Sequence, residues 1–434
     1  MNRVTTRVTM LPIEVEITRI GNMDRSDFKR QYIRKVLSWD FVYCTHSTMM
    51  RTQGRVLKIN LDSYSAEARF EAAESLINEI HTKIQYTSEN LNPIGLIVLF
   101  GFTFSPYSAR PSFLAIPEQM FFWSDGVAWK IDATICHNLS EPSRIFKWPK
   151  SISFKMGDFR QEDYKHAITN VVNKLLNADI SKVVLARDII AEIHDDFDPE
   201  AHAIDLDEAI QRLMNTANGT VFVFDGLFGA SPEVLLRTDG NSGFEVSILA
   251  GSMSANHPKH VIHNCAASPP YKALDETYLD EKLRLEHSFA LNPTLERLST
   301  LMNTAPTVNS YKIRRFTHIT HVASFISGTF KPNISPLRAL SHIHPTGAIA
   351  GEPRERALEI IKEIEPFDRE LYGGAIGWIG QDSSCEFTLP IRCAQLNRGH
   401  IKAFAGCGIV KSSIPQKELE ESTLKFKTII DAIS

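Results

Sequence analysis

EPFDRELYGGAIGWIG, residues 365–380, places acidic side chains, an arginine and a tyrosine directly ahead of a glycine-spaced apolar run. Upstream, RERALEIIKEIE (354–365) carries apolar residues at helical spacing, and Pro353 suits the first turn of that helix. Downstream, AIGWIG holds no charged side chain and reads as a buried strand. A helix therefore gives way to a buried strand almost at once, with the charge concentrated at the joint. Charged groups set against a buried strand need partners. The joint is either a packed helix-to-strand corner or the wall of a site.

Other stretches repeat this mixture of helices and strands. IGLIVLFGFTF (94–104) reads as a buried strand, and SAEARFEAAESLINEIHTKI (65–84) as an amphipathic helix. FLAIPEQMFFWSDGVAWKI (113–131) reads as two strands around the turn Ser124-Asp125-Gly126. QEDYKHAITNVVNKLL sets Tyr164, Ile168, Val171 and Leu175 on one helical face. SKVVLARDIIAEI, VFVFDGLFGAS and GFEVSILAGS read as strands, and a last helix starts near Pro415. Several strands follow one another without a βαβ period, which favours α+β layers over a Rossmann sheet. The expected fold is two β-sheets packed as a sandwich, helices outside, with the site in a central cleft. Residues 1–150 are expected to form the N-terminal part of one unit with a catalytic region at 151–434.

The chain has 434 residues, 43% hydrophobic and 23% charged, with a net charge of -4. That balance carries no nucleic-acid footprint. No apolar run reaches the roughly 18–20 residues that span a bilayer, and the N-terminus shows no signal-peptide core. The six cysteines form no CxxC pair, so neither a disulfide framework nor a zinc knuckle is indicated. The expectation is a reduced, cytoplasmic protein.

Four constellations could carry chemistry. Lys182 shares a strand face with Val184 and Ala186; apolar neighbours would lower its pKa and make it a base, while an edge lysine reaching water is the plainer reading. Glu233 follows Ser231-Pro232 at a strand corner, where a raised pKa would make it a general acid. Glu286, on the helix EKLRLEH, and Glu418 and Glu421, on the helix PQKELEESTLKFK with Lys425, offer carboxylates suited to Mg2+. They suit a solvated face with i, i+4 ion pairs as well, Lys282 with Glu286 among them. Arg392 and the glycines Gly406 and Gly408 could receive an anion. The pairs His318/His321 and His342/His344 lack the partners of a zinc site, and His344 suits a hydrogen-bonding role beside a ligand.

Read in order, SKVVLAR, GASPEVLLR, ILAGS, EKLRLEH, HPT, EPFDRELYGGAIGW, IRCA, AFAGCGIV and KELEE resemble the chorismate-utilising enzymes. The most similar type is isochorismate synthase, and Ser252, PFDRELYGG and IRCAQL resemble its siderophore, 2,3-dihydroxybenzoate branch; a salicylate synthase, which shares this constellation and then expels pyruvate, and a non-catalytic relative are the alternatives. The resemblance is strong over 150–434 and weak before. It implies that Lys182 activates water and Glu233 protonates the departing hydroxyl of chorismate. It implies that Glu286 and Glu418, with Glu421, hold Mg2+. Ser252, His344, Thr346, Tyr372, Arg392, Gly406, Gly408 and Lys425 would bind the substrate, and Glu365 and Arg369 would lie near the pocket floor. Lysine at 182 separates water-adding from ammonia-adding members, and the type is often monomeric. Three features depart from the pattern: Leu283 in place of an acidic residue, Gly347 in place of proline, and the segment 253–274.

Overall fold

The computed structural model of the chain describes residues 11–34, 36, 40–61, 68–87, 94–135, 152–177, 179–193, 206–216, 219–254, 272–273, 281–315, 319–397 and 400–434. Two sheets dominate it. The first has 13 strands and runs from Ile152–Met156 through Lys182–Ile193, His400–Ile409, Cys393–Asn397, Leu227–Ser231, Thr220–Phe224, Val42–Cys44, Thr48–Gln53, Gln119–Ser124, Val127–Ile135 and Ile13–Asn22 to Ile84–Tyr86. Gly351–Glu352 pairs with Lys182–Ile193 off this path. The second has 10 strands, in the order Lys272–Ala273, Thr307–Arg315, Ile319–Thr329, Gly243–Ser254, Val234–Asp239, Ser384–Thr388, Ala375–Gly380, Ile97–Phe102, Ser112–Ile116, Leu57–Leu61. The pairing is antiparallel except between Ile13–Asn22 and Ile84–Tyr86, so the layered α+β expectation holds.

The sheets pack face to face. Phe113 of the second stacks on Phe224 of the first at 5.3 Å, and Trp378 meets Phe122 edge-on at 6.4 Å. Strand Thr220–Phe224 shows how sequence sets this up. Phe222 and Phe224 enter the core between the sheets, and Val221 and Val223 enter a second core on the outer face. Alternate residues point to opposite faces, so a strand buried twice has no polar phase and reads as a continuous apolar run. The helices Leu206–Thr216 and Pro415–Ile433 supply Leu213, Phe426 and Ile429 to that outer core. The helices Ala68–Lys83 and Pro336–Ile343 pack on the second sheet. The expected face of helix Gln161–Asn177, Tyr164, Ile168, Val171 and Leu175, is buried.

One expectation needs correction. The two strands expected around Ser124-Asp125-Gly126 are present as Gln119–Ser124 and Val127–Ile135, but the first does not reach back to 113. Pro117 interrupts the run, and Ser112–Ile116 belongs to the second sheet while Gln119–Ser124 belongs to the first. Proline cannot donate to a ladder, so the chain changes layers there. The turn itself is present: Asp125 and Gly126 take φ of 51° and 79°, the two left-handed positions of a type I′ hairpin.

The 365–380 segment is both a corner and a wall. Its upstream helix ends at Ile364, and Ala375–Gly380 is a fully buried inner strand. At the joint Arg369 forks onto Glu365, Nε to Oε2 at 2.8 Å and Nη2 to Oε1 at 2.5 Å. The side chains are 1% and 2% exposed. Arg369 also donates to the carbonyls of Ile349 (2.9 Å) and Val184 (2.7 Å), and Glu365 accepts from the amide of Ala186 at 2.7 Å. The pair thus joins helix, loop and first-sheet strand. Removing one partner strands a buried charge, which typically costs about 3–5 kcal/mol. Denaturant unfolding should show losses of that order for Glu365→Gln and for Arg369→Met, and a smaller loss for the double variant than their sum.

Candidate active site

A cavity with about 560 Å3 of empty volume, solvent mouth included, lies between the sheets. The first sheet contributes Lys182, Val184 and the stretch around Gly406 and Gly408; the second contributes Glu233, Leu249–Ser252 and His321. Glu286 and Lys425 enter from helices, and Ile349, Tyr372 and Arg392 from loops.

Lys182 opens the strand Lys182–Ile193 and is 1% exposed. Its Nζ stands 3.8 Å from Oε1 of Glu286. Burial pulls the ammonium pKa below its ordinary value, and the opposing attraction of Glu286 does not cancel that. Gly408 makes this meeting possible, since a Cβ there would stand 2.5 Å from Glu286 Oε1 and 2.6 Å from Lys182 Cε. A Cβ at Gly406 would stand 3.0 Å from the Tyr372 hydroxyl. Both glycines pair in the ladder, opposite Val184 and Ala186. Their observed use is close approach of side chains across the cavity.

Glu233 sits where the chain leaves the first sheet for the second. Its backbone is pinned: its amide donates to Ser231 Oγ at 3.2 Å, and its carbonyl accepts from Leu389 and from Thr388 Oγ. Glu233 is 1% exposed, and its Oε1 has no hydrogen-bond partner among the described residues. Burial pushes its pKa up to about 8, against smaller opposing pulls from the Leu249 backbone, Lys182 and Arg314. A buried acid with a vacant oxygen is held protonated at neutral pH and can give its proton to whatever fills the cavity.

Glu286 is aimed by its neighbour. His287 bonds the Ala250 carbonyl through Nδ1 at 2.9 Å and Ser324 Oγ through Nε2 at 2.7 Å, and so fixes helix Glu281–Ser299 on the second sheet. The expected Lys282 partner lies among side chains outside the described residues; Glu286 faces Lys182 instead. Burial raises the Glu286 pKa; Lys182 and Lys425 oppose this, and Glu421 and Glu418 add to it. Oxygens of Glu418 and Glu421 lie with Cys407 Sγ within 4.8 Å of one another. Lys425 Nζ bonds Glu421 at 2.7 Å and the Gly406 carbonyl at 2.8 Å, and despite burial Cys407 and Glu421 hold its pKa up. Buried Glu286 lines the cavity, while buried Glu418 and half-buried Glu421 lie outside its lining; their oxygens are the donor type a hard divalent ion such as Mg2+ takes.

Arg392 is 6% exposed and holds φ of 52°, a left-handed conformation rare outside glycine. Burial lowers its pKa to about 10, so it stays charged at neutral pH. Tyr372 stacks on Phe404 at 5.1 Å. The expected pocket role of His344 and Thr346 meets a different placement. Both are buried, and neither lines the cavity. His344 packs edge-on against Phe70, and the Thr346 carbonyl accepts from Ile349 and Ala350, shaping the loop that carries the lining residue Ile349. His342 stays on its helix with Nδ1 donating to the Arg338 carbonyl at 2.9 Å, and His318 lies outside the described residues. Leu283 packs against Gly251, where a Cβ would lie 3.3 Å from Leu283 Cδ2. Of segment 253–274, residues 255–271 and 274 are outside the described residues.

The family model described as chorismate binding enzyme matches residues 127–434. The chain belongs to that family. It is 31% identical over 277 residues to isochorismate synthase EntC of Escherichia coli strain K12, covering 62% of this chain and 67% of that protein. It is 28% identical over 281 residues to anthranilate synthase component 1 of Pseudomonas putida, covering 64% of this chain and 54% of that protein. The structure of MenF, the menaquinone-specific isochorismate synthase of Escherichia coli, superposes with a TM-score of 0.73 at 18% identity, over 98% of this chain and 96% of that one. That likeness shows that the fold is the chorismate-utilising one.

Sequence reasoning missed His321 and His287. In the sequence His321 stands out only as half of a histidine pair; the register that sets it opposite Ser252 exists only in the folded sheet. His287 followed a singled-out glutamate, and nothing in its spacing marks it as that residue's anchor.

A pH titration of the carboxyl C=O infrared band, taken as wild type minus Glu233→Gln, tests the cavity's electrostatics directly. A protonated band that persists at pH 7 and fades through about pH 8 is expected. A carboxyl already ionised at pH 6 would contradict the burial argument.

Proposed function

We propose that this enzyme converts chorismate to isochorismate with Mg2+. The observation that carries the proposal is the pairing of Lys182 and Glu233 in one cavity, each fully buried, one pKa pushed down and the other up. Hydration at one ring carbon with loss of hydroxyl at another needs a base for the incoming water and an acid for the departing oxygen. Lys182 Nζ takes a proton from water as the new C–O bond forms at C2. The electron pairs of the ring diene shift, and the C4–O bond breaks. Glu233 gives its proton to the departing hydroxyl, which leaves as water. Lys182 ends protonated and Glu233 ionised, and solvent resets both. Substrate and product are isomers, so no oxidant or reductant enters.

Arg392 and Lys425 would bind the substrate's carboxylates, with Ser252, Tyr372 and the open strand at Gly406 and Gly408 framing the ring. Glu286, Glu418 and Glu421 would hold Mg2+, which when bound neutralises substrate carboxylate charge and fixes its orientation. Lysine rather than glutamine at 182 favours water over ammonia as nucleophile. Ser252, PFDRELYGG and IRCAQL favour the 2,3-dihydroxybenzoate branch for the product.

Incubation with chorismate and Mg2+, with the product identified by mass and ultraviolet spectrum, should yield isochorismate and no pyruvate. EDTA should abolish turnover and added Mg2+ restore it. Lys182→Ala and Glu233→Gln should each lower kcat by at least about 100-fold, the usual range for a lost acid or base. KM should change little, and the double variant should lose less than the product of the two. Pyruvate release would mean a lyase, and full turnover by metal-stripped enzyme would remove Mg2+ from the account.

A further inference from the structure

His321 is buried on the strand Ile319–Thr329, opposite Ser252 on Gly243–Ser254. Both line the cavity. Ser252 is brought there by a bulge: the pairing register shifts between Leu249 and Ser252, and Gly251 takes φ of 82°. A bulge re-aims side chains, and here Leu249, Ala250, Gly251 and Ser252 all reach the lining.

The direction of the hydrogen bonds follows from the groups present. Arg392 Nη2 contacts His321 Nε2. A guanidinium has donors and no acceptor, so Nε2 must present its lone pair. Burial, followed by the charges of Arg392, Lys425 and Arg314, holds the ring neutral, while the Gly251 backbone favours a proton on it. A neutral ring with a bare Nε2 carries its proton on Nδ1. Nδ1 lies 3.1 Å from Ser252 Oγ, so its proton is offered to that oxygen and to the Gly251 backbone. The hydroxyl hydrogen of Ser252 cannot return to a nitrogen that is itself a donor. Among the described residues the Ser252 side chain has no other hydrogen-bond partner. Its hydrogen is therefore left for a group in the cavity that Ser252 lines.

We infer that Arg392, His321 and Ser252 form a one-way hydrogen-bond chain that makes the Ser252 hydroxyl a dedicated donor to a carboxylate oxygen of the substrate. His321 is then a positioning residue that touches no reacting atom. It fixes Ser252 as a donor and steadies the guanidinium beside it, so one substrate carboxylate meets a charged and a neutral donor together. A second acceptor such as a carboxylate in place of His321 would reverse the Ser252 hydroxyl and turn an acceptor toward an anion. The identity of the substrate rests on the function proposed above; the direction of the chain does not.

Two measurements separate these. Long-range proton–nitrogen correlation spectra of the substrate-free protein, with nitrogen-labelled histidine and His321→Asn as the assignment control, read the ring directly. The neutral Nδ1–H form is expected; the Nε2–H form or an imidazolium at pH 7 overturns the chain, whatever the substrate is. Chorismate turnover by the wild-type enzyme checks the functional reading separately. If it holds, Ser252→Ala and His321→Leu should each raise KM about 10- to 100-fold, the worth of one hydrogen bond to a charged group. Their kcat should change far less, and the double variant should be no worse than either alone. Ser252→Thr, which keeps the hydroxyl, and His321→Asn, which keeps a donor near the Nδ1 position, should recover most of the loss. The form of the pH profile of kcat should survive in His321→Leu. A wild-type KM in Ser252→Ala, a lost pH limb in His321→Leu, or multiplicative losses would each contradict the inference. Should His321→Leu fail to fold, the Ser252 pair and the ring tautomer still decide it.

Discussion

Arg369 stands behind the cavity with its guanidinium committed on every side: a forked contact to Glu365, and single bonds to the carbonyls of Ile349 and Val184. Ile349 and Val184 are lining residues. The pair therefore sets where two walls of the cavity stand, and through Val184 it fixes the strand that begins at Lys182. A buried ion pair of this kind is weak support for stability as such, because desolvation offsets most of its attraction. Its value here is geometric. A planar five-donor fork satisfied by fixed carbonyls admits one arrangement, and Tyr372 is set three residues further on by the same turn.

The cavity brings several locally unfavourable groups together. Glu233 has a buried oxygen without a partner among the described residues, Lys182 is a buried amine, and Arg392 holds a left-handed backbone. Each is unfavourable locally, and such departures concentrate where a site needs them. Around it, framework elements follow their burial pattern: Phe222 and Phe224 against Val221 and Val223 in a doubly buried strand, and a helix face of Tyr164, Ile168, Val171 and Leu175.

Much of this was legible in the sequence, for physical reasons. Periodicity gave the helices and the buried strands, because burial imposes a period of 3.6 or 2 on apolar residues. Lys182 and Glu233 stood out as charges within apolar stretches, although neither could be told from a solvated residue by its own neighbours. Their order along the chain, together with Glu286 and Glu418, raised them above that ambiguity. What stayed hidden depends on register and on space. The layer change at Pro117, the meeting of Ser252 with His321, and the room that Gly408 leaves for Lys182 and Glu286 are properties of strands brought together from far apart. His344 and Thr346 show the converse: their place in a short motif suggested contact with substrate, while the structure puts them behind the lining as part of its support.

The account holds that this cavity activates a water molecule from solvent and expels a different oxygen from the ring. Turnover of unlabelled chorismate in water enriched in heavy oxygen tests that directly, with the product analysed by mass spectrometry for label at the C2 hydroxyl. The account predicts that each isochorismate formed carries one solvent oxygen at C2 and that none enters unreacted chorismate ahead of turnover. Product that retains only the original oxygen would mean that the hydroxyl migrates within the substrate, and Lys182 would then not be the base that admits water.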